Sequence, residues 1–276
     1  AANLAFSVNQ EHASANAGAA STSMTAGQSV TTGLLLNDPL QPAPFANQIK
    51  TGAFNLHVYN ATGVATLTNI PVTAGTTTMT SLMTDLNKPN TGITASLDAT
   101  NHLVIAPKTP NTGVTLSNDT SNVLAAYEVN NFFTGSKASN IGLASAITTS
   151  AAAINTGKTD TATSLITTGD NTTAVAIMQL QNLAMNFDGS ASATSLNTRT
   201  SNVASQFGTD VANSILQAKY TTAESDTLNA QRQAISGVNM DEELVSMIKF
   251  QNAYSAASKI ITTTNQMLGT LMGIIR

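Results

Sequence analysis

The chain has 276 residues with only 9% charged, a formal net charge of -4, no cysteine and no tryptophan. That length allows one or two domains with room for a core, while the charge balance excludes the basic field needed to hold nucleic acid or an acidic membrane surface. Without cysteine there are no disulfides, thiolate metal sites or cysteine nucleophiles, and 4% aromatics argue against a stacking or sugar-binding platform. The abundance of Thr, Ala, Ser and Asn gives a polar, uncharged surface of the kind expected of a secreted structural protein. No run of about 20 apolar residues offers a membrane span, and the N-terminus has neither a basic nor an apolar leader region. The absence of an initiator methionine points to a piece of a longer chain.

The pattern predicts an α+β multidomain fold, in which a long-helix rod portion carries an inserted, small, β-rich α+β domain. Residues 1–18, with Leu4, Ala5 and Val8 on one side, read as the end of a rod helix. Residues 19–50, broken by Asn37-Asp38-Pro39 and Pro42-Ala43-Pro44, read as an extended connection. From 51 to 130 the period changes to two. Phe54, Leu56 and Val58 alternate with polar neighbours, and Ala61-Thr62-Gly63 turns into a second strand with Val64 and Leu67. Met79, Leu82, Met83 and Leu86 then recur at helical spacing, followed by strands at 93–97, 102–106 and 113–116 and a short helix at 123–127. The predicted order of this outer domain is strand, strand, helix, strand, strand, strand.

Residues 131–170 read as a polar connection with a short helix around 144–154, and 171–237 as rod helices. Asn171 is placed to cap the first of these, which Asp188-Gly189 would end. The second runs from about 193 to 235 with Val203, Phe207, Val211 and Ile215 in step, and Gly237 is suited to a left-handed helix terminus. The short turn there favours two antiparallel helices, with a straight continuation as the other arrangement.

The final stretch, 238–276, has the most regular pattern. Alternate steps of three and four from Met247 reach Phe250, Tyr254, Ala257, Ile261, Thr264, Leu268, Leu271 and Ile275, a heptad seam in which only Thr264 is not apolar. Asn239 stands at the cap with Glu242 three residues on, a capping-box spacing, and Asp241, Glu242 and Glu243 sit where the helix dipole favours negative charge. At ~1.5 Å per residue this helix is on the order of 50 Å long. An ordinary core helix has the same pattern. A seam running to within one residue of the last, with no later element to cover it, instead favours association, so Met247, Phe250, Tyr254, Ala257, Ile261, Leu268, Leu271 and Ile275 are the candidate assembly residues.

Sites for chemistry are poorly supported. Gly157-Lys158-Thr159 resembles the end of a phosphate loop, but Ala152 stands where that loop requires glycine. His12, His57 and His102 show no metal-ligand spacing, no Gly-x-Ser-x-Gly elbow is present, and the Asp241–Glu243 run is explained by its place in a first helical turn. No catalytic, cofactor-binding or metal residue is nominated, and the chain reads as non-enzymatic.

Ile235-Ser236-Gly237-Val238-Asn239-Met240-Asp241-Glu242-Glu243, with Phe250-Gln251-Asn252-Ala253-Tyr254-Ser255-Ala256-Ala257-Ser258-Lys259-Ile260-Ile261, resembles the C-terminus of the hook-associated protein 1 family of bacterial flagella, the hook-filament junction proteins. Val8-Asn9-Gln10-Glu11-His12, Phe133-Thr134-Gly135, and Gly169-Asp170-Asn171 leading to Leu180-Gln181-Asn182 agree less strongly. Met240 and Lys249 depart from the family's commoner residues without disturbing the seam. The region 51–130 is similar, more loosely, to outer domains of flagellar axial proteins. The resemblance implies type III export to an extracellular flagellum and axial self-assembly by a coiled-coil helix. Its partners would be neighbouring copies, hook protein, the next junction protein and an export chaperone, with no nucleic acid, membrane or cofactor. It also implies that an N-terminal helix pairing with the C-terminal one stands outside this sequence. Other readings are another axial protein, such as flagellin or a distal hook-associated protein, and a surface adhesin using 51–130 with Phe54, Tyr59 and Tyr127 as its aromatic candidates.

Overall fold

The computed structural model describes residues 1–110, 112–185, 193–237 and 239–274. The fold is α+β, in two units, Ala1–Asn202 and Val203–Arg276. In the first, α1 (Ala2–Ala13) precedes β1 (Met24–Ser29), β2 (Gly52–Tyr59), β3 (Ala65–Val72), α2 (Met79–Leu86), β4 (Ile93–Leu97), β5 (His102–Pro107), β6 (Gly113–Ser117) and α3 (Val123–Ala126). Two antiparallel three-stranded sheets form, ordered β3-β2-β6 and β1-β5-β4. The strand–strand–helix–strand–strand–strand order of 51–130 is observed.

Strand β2 is central, pairing with β3 on one edge and β6 on the other, and residues on both of its faces are buried. Phe54 and Leu56 enter the main core, where Phe54 stands opposite Ile70 and Leu56 opposite Leu116, while Asn55 and His57 are buried on the other side. Burial of each large apolar side chain is worth about 1.5–3 kcal/mol, and Met79, Leu82 and Leu86 bring α2 onto the same core. Thr78 and Ser81 close a reciprocal capping box at the start of α2. In the hairpin turn, Asn60 Oδ1 accepts from the N–H groups of Thr62 and Val64, and Gly63 takes a left-handed φ of +80°.

The segments either side of this domain hold more structure than their sequences announce. Residues 19–50 are not merely a connection: β1 adds to β5, and Val30, Leu36, Phe45, Ala46 and Ile49 join the core. Within 131–170, β7 (Phe133–Thr134) pairs with β8 (Gly142–Leu143), and α4 (Ser145–Thr149) follows. Helix α1 buries Phe6, Val8, Asn9 and His12, so it is built into this unit. Helix α5 (Thr172–Gln179) is shorter than the apolar pattern predicts, and Asp188-Gly189, its expected end, lies outside the described residues. Asn171 occupies the cap position of α5 without a side-chain capping bond; the Asp170 carboxylate takes the Thr172 N–H at 3.0 Å instead.

Helix α6 (Leu196–Ser236) carries the chain into the second unit, where α7 (Met240–Ile274) follows. Every described residue from 203 to 274 is exposed. Two helices of this length packed antiparallel would bury facing stripes, so the short turn does not fold them face to face. Gly237 has no positive φ, against the left-handed terminus expected of it. Its N–H donates to Gln233 O at 2.7 Å, and a side chain there would collide with that carbonyl oxygen, so glycine is required for space.

Candidate assembly interface

Helix α7 begins where its cap is placed. Asn239 Oδ1 accepts the Asp241 N–H at 3.2 Å and Asn239 O accepts the Glu243 N–H at 3.0 Å. Among the described residues no return bond runs from the Glu242 carboxylate to the Asn239 N–H. The reciprocal box therefore does not close, and Glu242 contributes through its charge in the first turn, with Asp241 and Glu243.

The seam residues lie along α7 with nothing over them: Phe250 is 76% exposed, Tyr254 77% and Leu268 52%, with Met247, Ala257, Ile261 and Leu271 likewise exposed. Ile275 lies outside the described residues. At Thr264, the one polar seam position, Oγ1 donates to Ile260 O at 2.9 Å. That back-bond ties the hydroxyl to the helix backbone, so it is not a free polar group on the seam. A heptad seam drifts by about 20° per repeat around a straight helix. Continuous contact therefore needs a partner that winds around α7 with a left-handed supercoil.

The seam is not the whole apolar surface. Ile260, Met267 and Ile274 each stand one residue before a seam position, so at 100° per residue they flank the seam and widen its apolar face, and all are exposed. The seam reading passed over these flanking residues; their signal is an apolar residue immediately before Ile261, Leu268 and Ile275. Val203, Phe207, Val211 and Ile215 of α6 are exposed too.

Other residues of interest have local roles. Gly157 exchanges backbone bonds with Asn16, the Lys158 N–H goes to the Asp170 carboxylate, and Lys158 Nζ pairs with Glu11 at 2.8 Å, so the phosphate-loop-like stretch has its donors engaged. His12 and His57 are buried, and His102 sits by Asp98, whose carboxylate is pulled down to about 2, chiefly by the His102 backbone N–H. Phe54, Tyr59 and Tyr127, the aromatics on which an adhesive patch would rest, are all interior. Burial pushes the Tyr127 phenol well above its ordinary range, and its hydroxyl donates to Leu36 O at 3.0 Å.

Comparison with known proteins places these features in one setting. Residues 230–274 match the family described as flagellar basal body rod FlgEFG protein C-terminal, and residues 54–109 match the flagellin hook IN motif. A stretch of 51 residues is 37% identical to flagellar hook-associated protein 1 of Bacillus subtilis (strain 168), covering 18% of this chain and 10% of that relative's length. A crystal structure of the D2-D3 domains of the flagellar cap protein FliD from Serratia marcescens aligns with 45% of this chain and 62% of its own at 18% identity, with a TM-score of 0.30. The sequence matches, independent of that alignment, liken residues 54–109 and 230–274 to segments of flagellar proteins, and the chain spans about a tenth of the length of the hook-associated relative it matches.

Proposed function

We propose that this chain is a flagellar axial protein of the hook-associated kind and a non-enzymatic subunit of the junction between hook and filament. Helix α7 joins the axial structure through the seam of Met247, Phe250, Tyr254, Ala257, Ile261, Leu268, Leu271 and Ile275, while the 51–130 domain faces outward. The observation that carries the reading is the full exposure of a capped, apolar-seamed helix inside the stretch that matches a rod-protein C-terminus. Each large seam side chain offers about 1.5–3 kcal/mol when covered, so a few of them in register suffice to hold a subunit.

Neighbouring copies, hook protein and the next junction protein are the partners of this reading, and an export chaperone covers the seam before assembly. A second reading, a flagellin or a distal hook-associated protein, is favoured by the hook IN motif at 54–109. Truncation after Gly237 tests the proposal: the β domain should stay folded while cells lose filament attachment. Normal filaments on cells carrying only the truncated chain would sink it. Site-specific cross-linking from Tyr254 in assembled flagella separates the readings, since a junction subunit reaches hook protein and a distal one does not.

A further inference from the structure

Residues 154–165, Ile154-Asn-Thr-Gly-Lys-Thr-Asp-Thr-Ala-Thr-Ser-Leu165, cross the first unit as a strap held almost entirely by polar contacts. Of its two large apolar residues Leu165 is exposed and Ile154 only half-buried, so little hydrophobic burial fastens it. At one end, Asn155 N–H donates to His12 Nε2 at 2.9 Å, and Asn155 Nδ2 donates to His12 O at 3.1 Å. In the middle, Gly157 and Asn16 exchange backbone bonds, and Asn16 Nδ2 reaches Thr159 Oγ1 at 3.1 Å. At the other end, Ser164 Oγ meets His57 Nδ1 at 2.8 Å, and Tyr59 OH donates to Ser164 O at 2.8 Å. Ser164 is held there at a φ of +59°, an uncommon conformation for a residue with a side chain. Helix α5 rests on the strap through Thr173, whose Oγ1 donates to Gly157 O at 3.2 Å.

We infer that this strap is an acid-released latch, fastened by His12 and His57 in their neutral forms. His12 shows why. Its Nδ1 lies 2.9 Å from Asn130 O, which can only accept, so Nδ1 carries the proton and Nε2 is left as the acceptor for Asn155. A second proton has to go on Nε2, where it would face an N–H and break that bond. The second ring differs in detail. The two hydroxyls on His57, Ser117 Oγ at 2.7 Å and Ser164 Oγ, can rotate to accept from a charged ring, yet that charge would sit fully buried with no carboxylate beside it.

The surroundings offer neither ring a counter-charge. His12 meets Asn130, Asn155 and the edge of Phe132; His57 stands opposite Leu67 on β3 and Thr115 on β6. The charged groups on or beside the packed elements are Glu11 and Lys158, which pair with each other, Asp160 and Asp170, which accept local N–H groups, and Asp119 and Glu128 at the two ends of α3. None of them bonds either imidazole. Burial lowers the pKa of both rings, opposed at His12 by the Asn130 backbone bond. A histidine whose folded-state pKa is depressed lends its full stability above the unfolded value and loses it as pH falls through the folded one. The latch is therefore shut near neutrality and loosens in acid, by up to about thirtyfold per histidine at about pH 5.

Hydrogen-exchange protection of the full chain, corrected for intrinsic rates, at about pH 7.5 and pH 5 tests this. The amides of Asn155 and Gly157 should lose about tenfold or more of their protection in acid, while those of β2 and β3 keep theirs. His12→Asn, which retains a donor near Nδ1 but cannot titrate, should show much less pH dependence. Equal protection at both pH values, a loss shared by the whole domain, or an undiminished loss in His12→Asn overturns the latch. An independent arm needs no variant: nitrogen NMR of the wild-type imidazoles should find His12 neutral with its proton on Nδ1 below pH 6.5, and a His12 that titrates at or above that ordinary value also overturns it.

Discussion

Asparagine supplies much of the polar bonding inside the first unit, because one amide can both give and accept where backbone groups are left over. Asn9 is fully buried on α1, its Oδ1 taking the N–H groups of Phe132 and Phe133 and its Nδ2 donating to Phe133 O. Asn87, just after α2, bonds both the N–H and the C=O of Ala95 at 2.9 and 2.7 Å, completing the outer edge of β4 as another strand would. Asn87→Ala should cost about 1–3 kcal/mol, read as a lower urea midpoint at unchanged slope. Glu128 is a different case. Burial raises its carboxyl pKa, against a Gln28 side-chain bond and the Gly135 backbone, and Oε1 has no partner among the described residues. A raised carboxyl means the folded state holds the proton more tightly than the unfolded chain, so this group weakens the fold as pH rises above the ordinary glutamate range. Glu128→Gln should therefore stabilise the chain at neutral pH, read as a higher melting temperature, with the gain fading near pH 4; equal melting of both proteins at neutral pH would contradict this. None of these roles is legible in the sequence. Asn9, His12 and Glu128 look like surface residues until the chain brings partners more than a hundred positions away onto Asn9 and His12.

At the scale of elements, sequence reading succeeds where period and packing agree. The alternation of β2 and the three–four spacing of α2 locate them because each has one apolar set to bury. Strand β1 escapes it, since Met24-Thr-Ala-Gly-Gln-Ser29 is mostly small or polar and is a strand because β5 offers an edge to pair with. The seam of α7 is legible without any burial, because its three–four step is regular along the helix. Because Phe250 and Leu268 are exposed in the free chain, Phe250→Asp with Leu268→Asp should shift its thermal stability by no more than about 0.5 kcal/mol per site. Helices without a packed face are marginal in water. Limited proteolysis should accordingly cut within 203–274 first and leave a resistant core of the first unit; cleavage inside β2–β6 at comparable rates would contradict the burial described here.

At the scale of the whole molecule, the chain pairs a unit that has satisfied its own core with one that has not. The first buries its apolar residues and bonds most of its buried polar atoms; the second exposes the apolar seam of α7 with its flanking residues, and a further apolar stripe on α6. Such a division suits a protein that folds one part alone and completes the other in an assembly, and the stretch left uncovered is the one that matches a rod-protein C-terminus. The β domain's aromatics, turned inward, leave assembly as the use its surface best supports. The most direct measurement is incorporation of the Phe250→Asp, Leu268→Asp chain into flagella, alongside its melting curve. Our account predicts an unchanged melting transition for the first unit, normal export, and no incorporation or filament attachment. Wild-type incorporation by that folded, exported double variant would contradict it.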